Sequence, residues 1–130
     1  MGDPRKLHKK FKSPGHPWQK ERIQSELPYV GKYGLRNKRE IWRHRTQLGR
    51  FRQIARGLLS AEPEVRKLEE SILIKKVSRL GLIPEESNLD DVLDLTLDDI
   101  MERRFQTIVL RKGLANTIYQ ARQLITHVHI

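Results

Sequence analysis

The chain has 130 residues, 37% of them apolar, and a formal net charge of +10, a length that suits one domain or two small ones with a modest core. It contains no cysteine, which excludes a disulfide framework and a thiolate metal site. The sequence shows no apolar run of the roughly 18 residues a membrane helix needs and no apolar stretch behind its charged N-terminus, so a soluble protein of the cell interior is expected.

The charge is unevenly placed. Residues 1–56 hold 16 Lys or Arg against 4 acids, residues 57–102 hold 5 against 12, and residues 103–130 hold 5 against none. Two basic ends around an acidic middle are suited to gripping a polyanion through separate patches or through one cleft.

Residues 1–35 are expected to form an extended basic arm, because Pro4, Pro14, Pro17 and Pro28 alternate with Gly2, Gly15, Gly31 and Gly34 too often for regular structure. Lys6, Lys9, Lys10, Lys12, Lys20 and Arg22 make this arm cationic. Phe11, Trp18, Tyr29 and Tyr33 add planar rings, and cations for phosphates with rings for bases is the composition of a tail ordered by RNA.

A helical body follows over residues 36–97. Ile41, Leu48, Phe51, Ala55 and Leu58 trace one apolar stripe from about Asn37 to Leu59, widened by Trp42. Arg39, Arg43, Arg45, Arg50, Arg52 and Arg56 occupy the rest of that helix with Glu40 the sole acid, and guanidinium forks suit phosphates. A second helix is expected from Ala61 to Leu80, capped by Ser60, with Pro63 in its first turn and Gly81 as its stop. Its buried side is predicted to be Val65, Leu68, Ile72 and Leu80, with Leu73 and Val77 beside them. Asn88 caps a short helix holding Val92, Leu93 and Leu95. The acids Asp90, Asp91, Asp94, Asp98, Asp99 and Glu102 stand at helix starts, where caps and the dipole explain them better than a metal or catalytic site.

Residues 98–130 form a distinct basic module. Thr96 with Asp99, and Thr117 with Gln120, read as capping boxes, and Gly113 separates two short helices. Phe105, Ile108 and Val109 are expected on the apolar face of the first, and Ile118, Ala121, Leu124 and Ile125 on that of the second. Tyr119, Arg122, Gln123 and Thr126 then face away from the stripe. No enzyme motif appears: the five histidines lack ligand spacing, and there is no G-x-S-x-G elbow or phosphate loop. His127 and His129 would share a side only in an extended chain. No metal or cofactor is expected.

The stretch ERRFQTIVLRKGLANTIYQARQLITHVHI resembles the helical half of the RNA-binding module found in the ribosomal protein S4 family. With GDPRK, PGHPW and KYGLRNKREIWR at the N-terminal side, the chain is similar to the archaeal and eukaryotic branch of that family over most of its length. There are departures: Phe105-Gln106 stands for Leu-Asp, Val128 stands for the usual Gly, and the module's small hairpin would lie beyond Ile130. The resemblance implies a mainly α fold and a structural protein of the small ribosomal subunit in the cytoplasm. It implies a protein that binds small-subunit rRNA early, nucleates assembly of the subunit body, supports translational accuracy and touches neighbouring ribosomal proteins. Lys9, Lys10, Trp18, Lys38, Arg39, Arg43, Arg50, Arg103, Arg104, Thr117, Tyr119, Gln120, Arg122, Gln123 and His127 are the expected RNA contacts. An adaptor fragment of an RNA-modifying enzyme and a nonspecific architectural nucleic-acid binder remain the alternatives.

Overall fold

The computed structural model describes residues 8–130, and every regular element among them is helical. In chain order these are α1 (Lys20–Lys32), α2 (Lys38–Leu59), α3 (Pro63–Arg79), α4 (Leu89–Asp94), α5 (Leu97–Glu102), α6 (Phe105–Arg111) and α7 (Ile118–Thr126). The mainly α class expected from the sequence is the class observed. The expectations placed on residues 1–7, Lys6 among them, lie outside the described residues.

Helix α2 is the spine, and the other helices pack on it or on one another. Asn37 caps it by accepting from the Glu40 amide at 3.3 Å. Its predicted stripe is the buried one: Ile41, Leu48, Phe51, Ala55 and Leu58 all face inward. The C-terminal half of this stripe meets Leu73 and Val77 of α3, Leu89 and Val92 of α4, and Ile100 of α5 in the main apolar cluster. Its N-terminal end, through Ile41 and Trp42, meets Tyr33, Leu35, Met101 and Leu97 in a second.

Helix α1 departs from the extended arm expected over residues 1–35. Pro28 lies inside it and removes one backbone donor, yet the helix forms because its tertiary contacts outweigh that local penalty. Glu26 is fully buried; it accepts from Arg22 at 2.9 and 3.0 Å and from the Trp42 indole at 3.1 Å. Lys38 at 3.7 Å and Arg45 at 3.5 Å complete its cationic surround. A carboxylate out of water needs this many partners to be tolerated. Tyr33, expected as a stacking ring for a base, is instead core, and Tyr29 is half-buried against it.

Helix α3 also departs from its prediction. Leu73 and Val77 are buried as the flanking pair, but Val65, Leu68, Ile72 and Leu80 are exposed. The helix carries two apolar stripes, and one helix docked on α2 and α4 can bury only one of them. Ser60 ends α2, while Glu62 precedes Pro63 at the start of α3.

The first helix of the basic module is split at Arg103-Arg104 into α5 and α6. Thr107 holds the break by donating to the Met101 carbonyl at 2.9 Å. Rotation about that break exposes Phe105 and buries Gln106, Thr107 and Val109. The capping expectations hold in form: Thr96 and Asp99 make a reciprocal box, as do Asn88 and Asp91. Thr117 accepts from the Gln120 amide at 3.1 Å, whereas the Gln120 side chain reaches the Asn116 amide.

Helix α7 ends in a Schellman arrangement, with His129 N–H donating to Leu124 and Val128 N–H to Ile125. Val128 therefore sits at φ 58°, a left-handed conformation that a β-branched residue adopts at a cost. The same turn stacks His127 and His129 at 6.2 Å, so their proximity does not require an extended chain. Val128→Gly is expected to raise the unfolding free energy by about 1 kcal/mol, measured by equilibrium urea denaturation.

Candidate nucleic-acid interface

Arginines crowded on one helix repel one another unless something counters the charge. On α2 the counterweight is built in. Glu40 bridges two guanidinium groups of the C-terminal module, accepting from Arg122 at 2.7 Å and from Arg104 at 2.8 Å. The same arginines donate to backbone carbonyls of the α1–α2 turn, Arg104 to Tyr33 and Arg122 to Gly34. Gly34 lies at φ 55°, and a Cβ there would fall 2.8 Å from Ile118, so only glycine lets α7 approach this turn so closely. Gln106, standing where the family pattern has Asp, is buried and donates to the Ile118 carbonyl at 2.8 Å. The module is thus latched to α2 by named polar contacts.

Two grooves flank the latch. One, of about 570 Å³, runs between the segment before α1 and the middle of α2; its cations are Lys12, Arg22, Arg45, Arg50 and Arg56, with His16 among them, and among the described residues no carboxylate lines it. Phe11 packs against Trp42 at 6.0 Å, and the Lys12 amide donates to Thr46 at 3.0 Å, which ties this segment down. The other, of about 530 Å³, is lined by Arg39, Arg43, Arg104, Arg122, His44 and Phe11, with Glu40 as its acid.

The predicted contacts divide between these places. Arg50 lines the first groove and Arg39, Arg43, Arg104 and Arg122 the second. Lys9, Lys10 and Trp18 are exposed in the segment before α1, Trp18 at 89%. Lys38 is turned toward Glu26. Arg103 donates to the Leu80 carbonyl at 3.0 Å and covers Gly81, and Arg52 is drawn inward to the Leu95 carbonyl. Tyr119, Gln123 and His127 are exposed on α7 and its end, while Thr117 and Gln120 serve the cap. Arg45 and Arg56, read from the sequence with the arginine face of α2, line this groove beside Arg50; His16, which carried no expectation, and Arg22, read as part of the extended arm, join them because the chain folds back through α1. The sequence signal for that fold-back is Arg22 and Glu26 one helical turn apart.

The acidic cluster has its own partners. Asp98 accepts from the Tyr29 hydroxyl at 3.0 Å, the Tyr33 hydroxyl at 2.8 Å and Lys32 at 2.9 Å. Lys32 first, then Tyr33, holds its carboxyl below the usual range. Arg111 does the same for Glu102. Burial, with Asp98 and Glu102 beside it, pushes the Tyr33 phenol up to about 12. These carboxylates brace α1 against α5, and among the described residues no group of three acids or histidines is arranged to hold a metal.

Residues 2–102 match the family described as Ribosomal protein S4/S9 N-terminal domain. The chain belongs to the ribosomal protein S4 family. It is 57% identical to the small ribosomal subunit protein uS4 of Hyperthermus butylicus over 130 residues, all of this chain and 74% of that protein. The uS4 of Ignicoccus hospitalis is also 57% identical, with 78% of its length covered. That of Saccharolobus solfataricus is 56% identical, with 72% covered. In this family member the cationic grooves and the latch are therefore features of a ribosomal protein.

The latch and its neighbour His44 yield two expectations. Glu40→Ala leaves two half-buried guanidinium groups facing each other without their carboxylate, and is expected to lower stability by about 3 kcal/mol in urea denaturation. Burial, and then Arg104, pushes the His44 imidazole below its ordinary value of 6.5. The unfolded chain then takes up the proton first, so this contribution is whole above pH 6.5 and is lost as pH falls through the lower folded value. Thermal denaturation between pH 7.5 and 5 is expected to show that loss, and His44→Gln to flatten it.

Proposed function

We propose that this chain is a structural constituent of the small ribosomal subunit that binds small-subunit rRNA and performs no catalysis. The observation carrying the reading is the groove lined, among the described residues, by five Lys or Arg and no carboxylate, in a member of a family whose named relatives are small-subunit proteins. The protein works in the cytoplasm, within the small subunit, with rRNA and adjacent ribosomal proteins as its partners. No cofactor, metal or small-molecule substrate enters this function.

The mechanism is electrostatic and geometric. Lys12, Arg45, Arg50 and Arg56 in one groove, and Arg39 and Arg43 in the other, meet phosphates of converging RNA strands and release their counterions. Trp18, exposed beside Lys9 and Lys10, offers a ring on which an unpaired base stacks. Arg104 and Arg122 hold the module through both terminal nitrogens of each guanidinium and give their remaining N–H groups to the RNA, while Tyr119, Gln123 and His127, exposed on α7 and its end, add contacts; Lys38 and Arg103 contribute positive charge from their places beside Glu26 and Gly81. Thr117 and Gln120 set the start of α7, and so the direction in which Tyr119 and Gln123 point. Recognition rests on strand spacing and the 2′-hydroxyls, since the major groove of A-form RNA is too narrow for side chains. A protein that fixes converging RNA helices early favours assembly of the subunit body and the geometry on which accurate decoding depends.

The test is a competition titration against small-subunit rRNA, an unrelated structured RNA and duplex DNA. The rRNA is expected to be preferred by about two decades, with affinity falling about a thousandfold or more between 50 and 200 mM salt. Arg50→Ala with Arg56→Ala is expected to reduce the log–log salt slope by about 1 for each phosphate that is no longer neutralised. Equal binding to all three ligands would overturn the reading.

A further inference from the structure

The ridge of α3 that faces away from the body has no partner within the described residues. Val65, Leu68 and Ile72 stand on it with fractional exposures of 47, 67 and 58%. They cannot be spare core, because Leu73 and Val77 on the opposite side already join α3 to α2 and α4. The charges along the same ridge are ordered: Glu62 and Glu64 stand at its N-terminal end, Glu69 at its middle, and Lys76 and Arg79 toward the C-terminal end. All of these side chains are exposed, and among the described residues the ion pair made by α3 is Arg66 with Glu70, off this ridge.

We propose that this ridge is the docking surface for an amphipathic helix of a neighbouring protein, lying antiparallel to α3. The apolar residues recur at helical spacing, which a second helix fills with its own i, i+3, i+7 side chains. The charge order selects the direction. A helix with acids in its first turns and bases in its last is the ordinary, dipole-matched kind, and laid antiparallel it sets its bases over Glu62 and Glu69 and its acids over Lys76 and Arg79. RNA is disfavoured because the centre of the ridge offers apolar surface and Glu69 where phosphates need donors. A second copy of the chain is disfavoured by size: three side chains fall far short of the roughly 1,200–2,000 Å² total of a stable interface. The ridge suits a contact made inside a particle that already holds both partners, so the inference rests on the ribosomal reading above.

The test places a photo-reactive phenylalanine analogue at Leu68, and in separate proteins at Val65 and at Arg79, in chains assembled into small subunits. A control carries it at Trp18. Cross-links from Leu68 are expected to reach a helix of one neighbouring protein, with Val65 reaching its basic end and Arg79 its acidic end. Adding Ile72→Glu is expected to cut the Leu68 yield about tenfold, as removing one good apolar anchor does, while rRNA affinity stays unchanged. Cross-links from Leu68 to rRNA or to a second copy, the reverse end order, or no product while Trp18 cross-links to rRNA would each overturn the proposal. Absence of the chain from small subunits, with no Trp18 product, would overturn the ribosomal reading and this inference with it.

Discussion

A helix bearing six arginines along its length would spread its own charge apart if nothing opposed it, and two carboxylates supply that opposition. Glu26 is buried among Arg22, Lys38, Arg45 and the Trp42 indole. Glu40 sits between Arg104 and Arg122. Each ties a different segment to α2: Glu26 brings in α1, and Glu40 brings in the C-terminal module. Because Glu26 is buried and Glu40 is occupied between two guanidinium groups, the outward face remains cationic while the fold is neutralised from within. The same arginines that hold the fold together can therefore still present positive charge outward.

The latch bears on how the protein meets RNA. Arg104 and Arg122 belong to the module that the sequence marks as an RNA reader, yet each already has a carboxylate and a backbone carbonyl as partners. A planar guanidinium has five donors, so these contacts leave donors to spare. The orientation of α7 is set before any ligand arrives, which lowers the ordering entropy lost on binding. Gly34 is what makes the arrangement possible, since its missing side chain admits Ile118 to the turn.

Charge is also partitioned among the elements. Cations concentrate on α2 and on the segment before α1, and acids on α4 and α5, where Asp98 and Glu102 brace Tyr29, Tyr33, Lys32 and Arg111. Helix α3 carries both signs around an apolar ridge. A ribosomal protein meets RNA and other ribosomal proteins at once, and on the proposed reading this partition would give each kind of neighbour a surface of its own chemistry.

The local decisions were open to reading in the residues themselves. The stripe of α2, the caps at Asn88, Thr96 and Thr117 and the stop at Gly113 depend on spacing and on side chains a few positions apart. The family was legible in the same way, through motifs contiguous in the chain. Long-range choices belonged to the tertiary structure. Pro28 and the glycines around it argue locally against a helix, and α1 exists because Glu26 finds partners on α2, up to 19 positions away. Val65 and Leu73 are equally apolar in the sequence, and only the docking of α3 on α2 and α4 decided which of their stripes is covered. Arg104 and Arg122 look alike to a phosphate and to Glu40, so their division of labour depended on a carboxylate 64 and 82 positions distant. Spacing determines what a segment can form by itself; which of several equal faces or charges is used depends on what the rest of the chain sets against it.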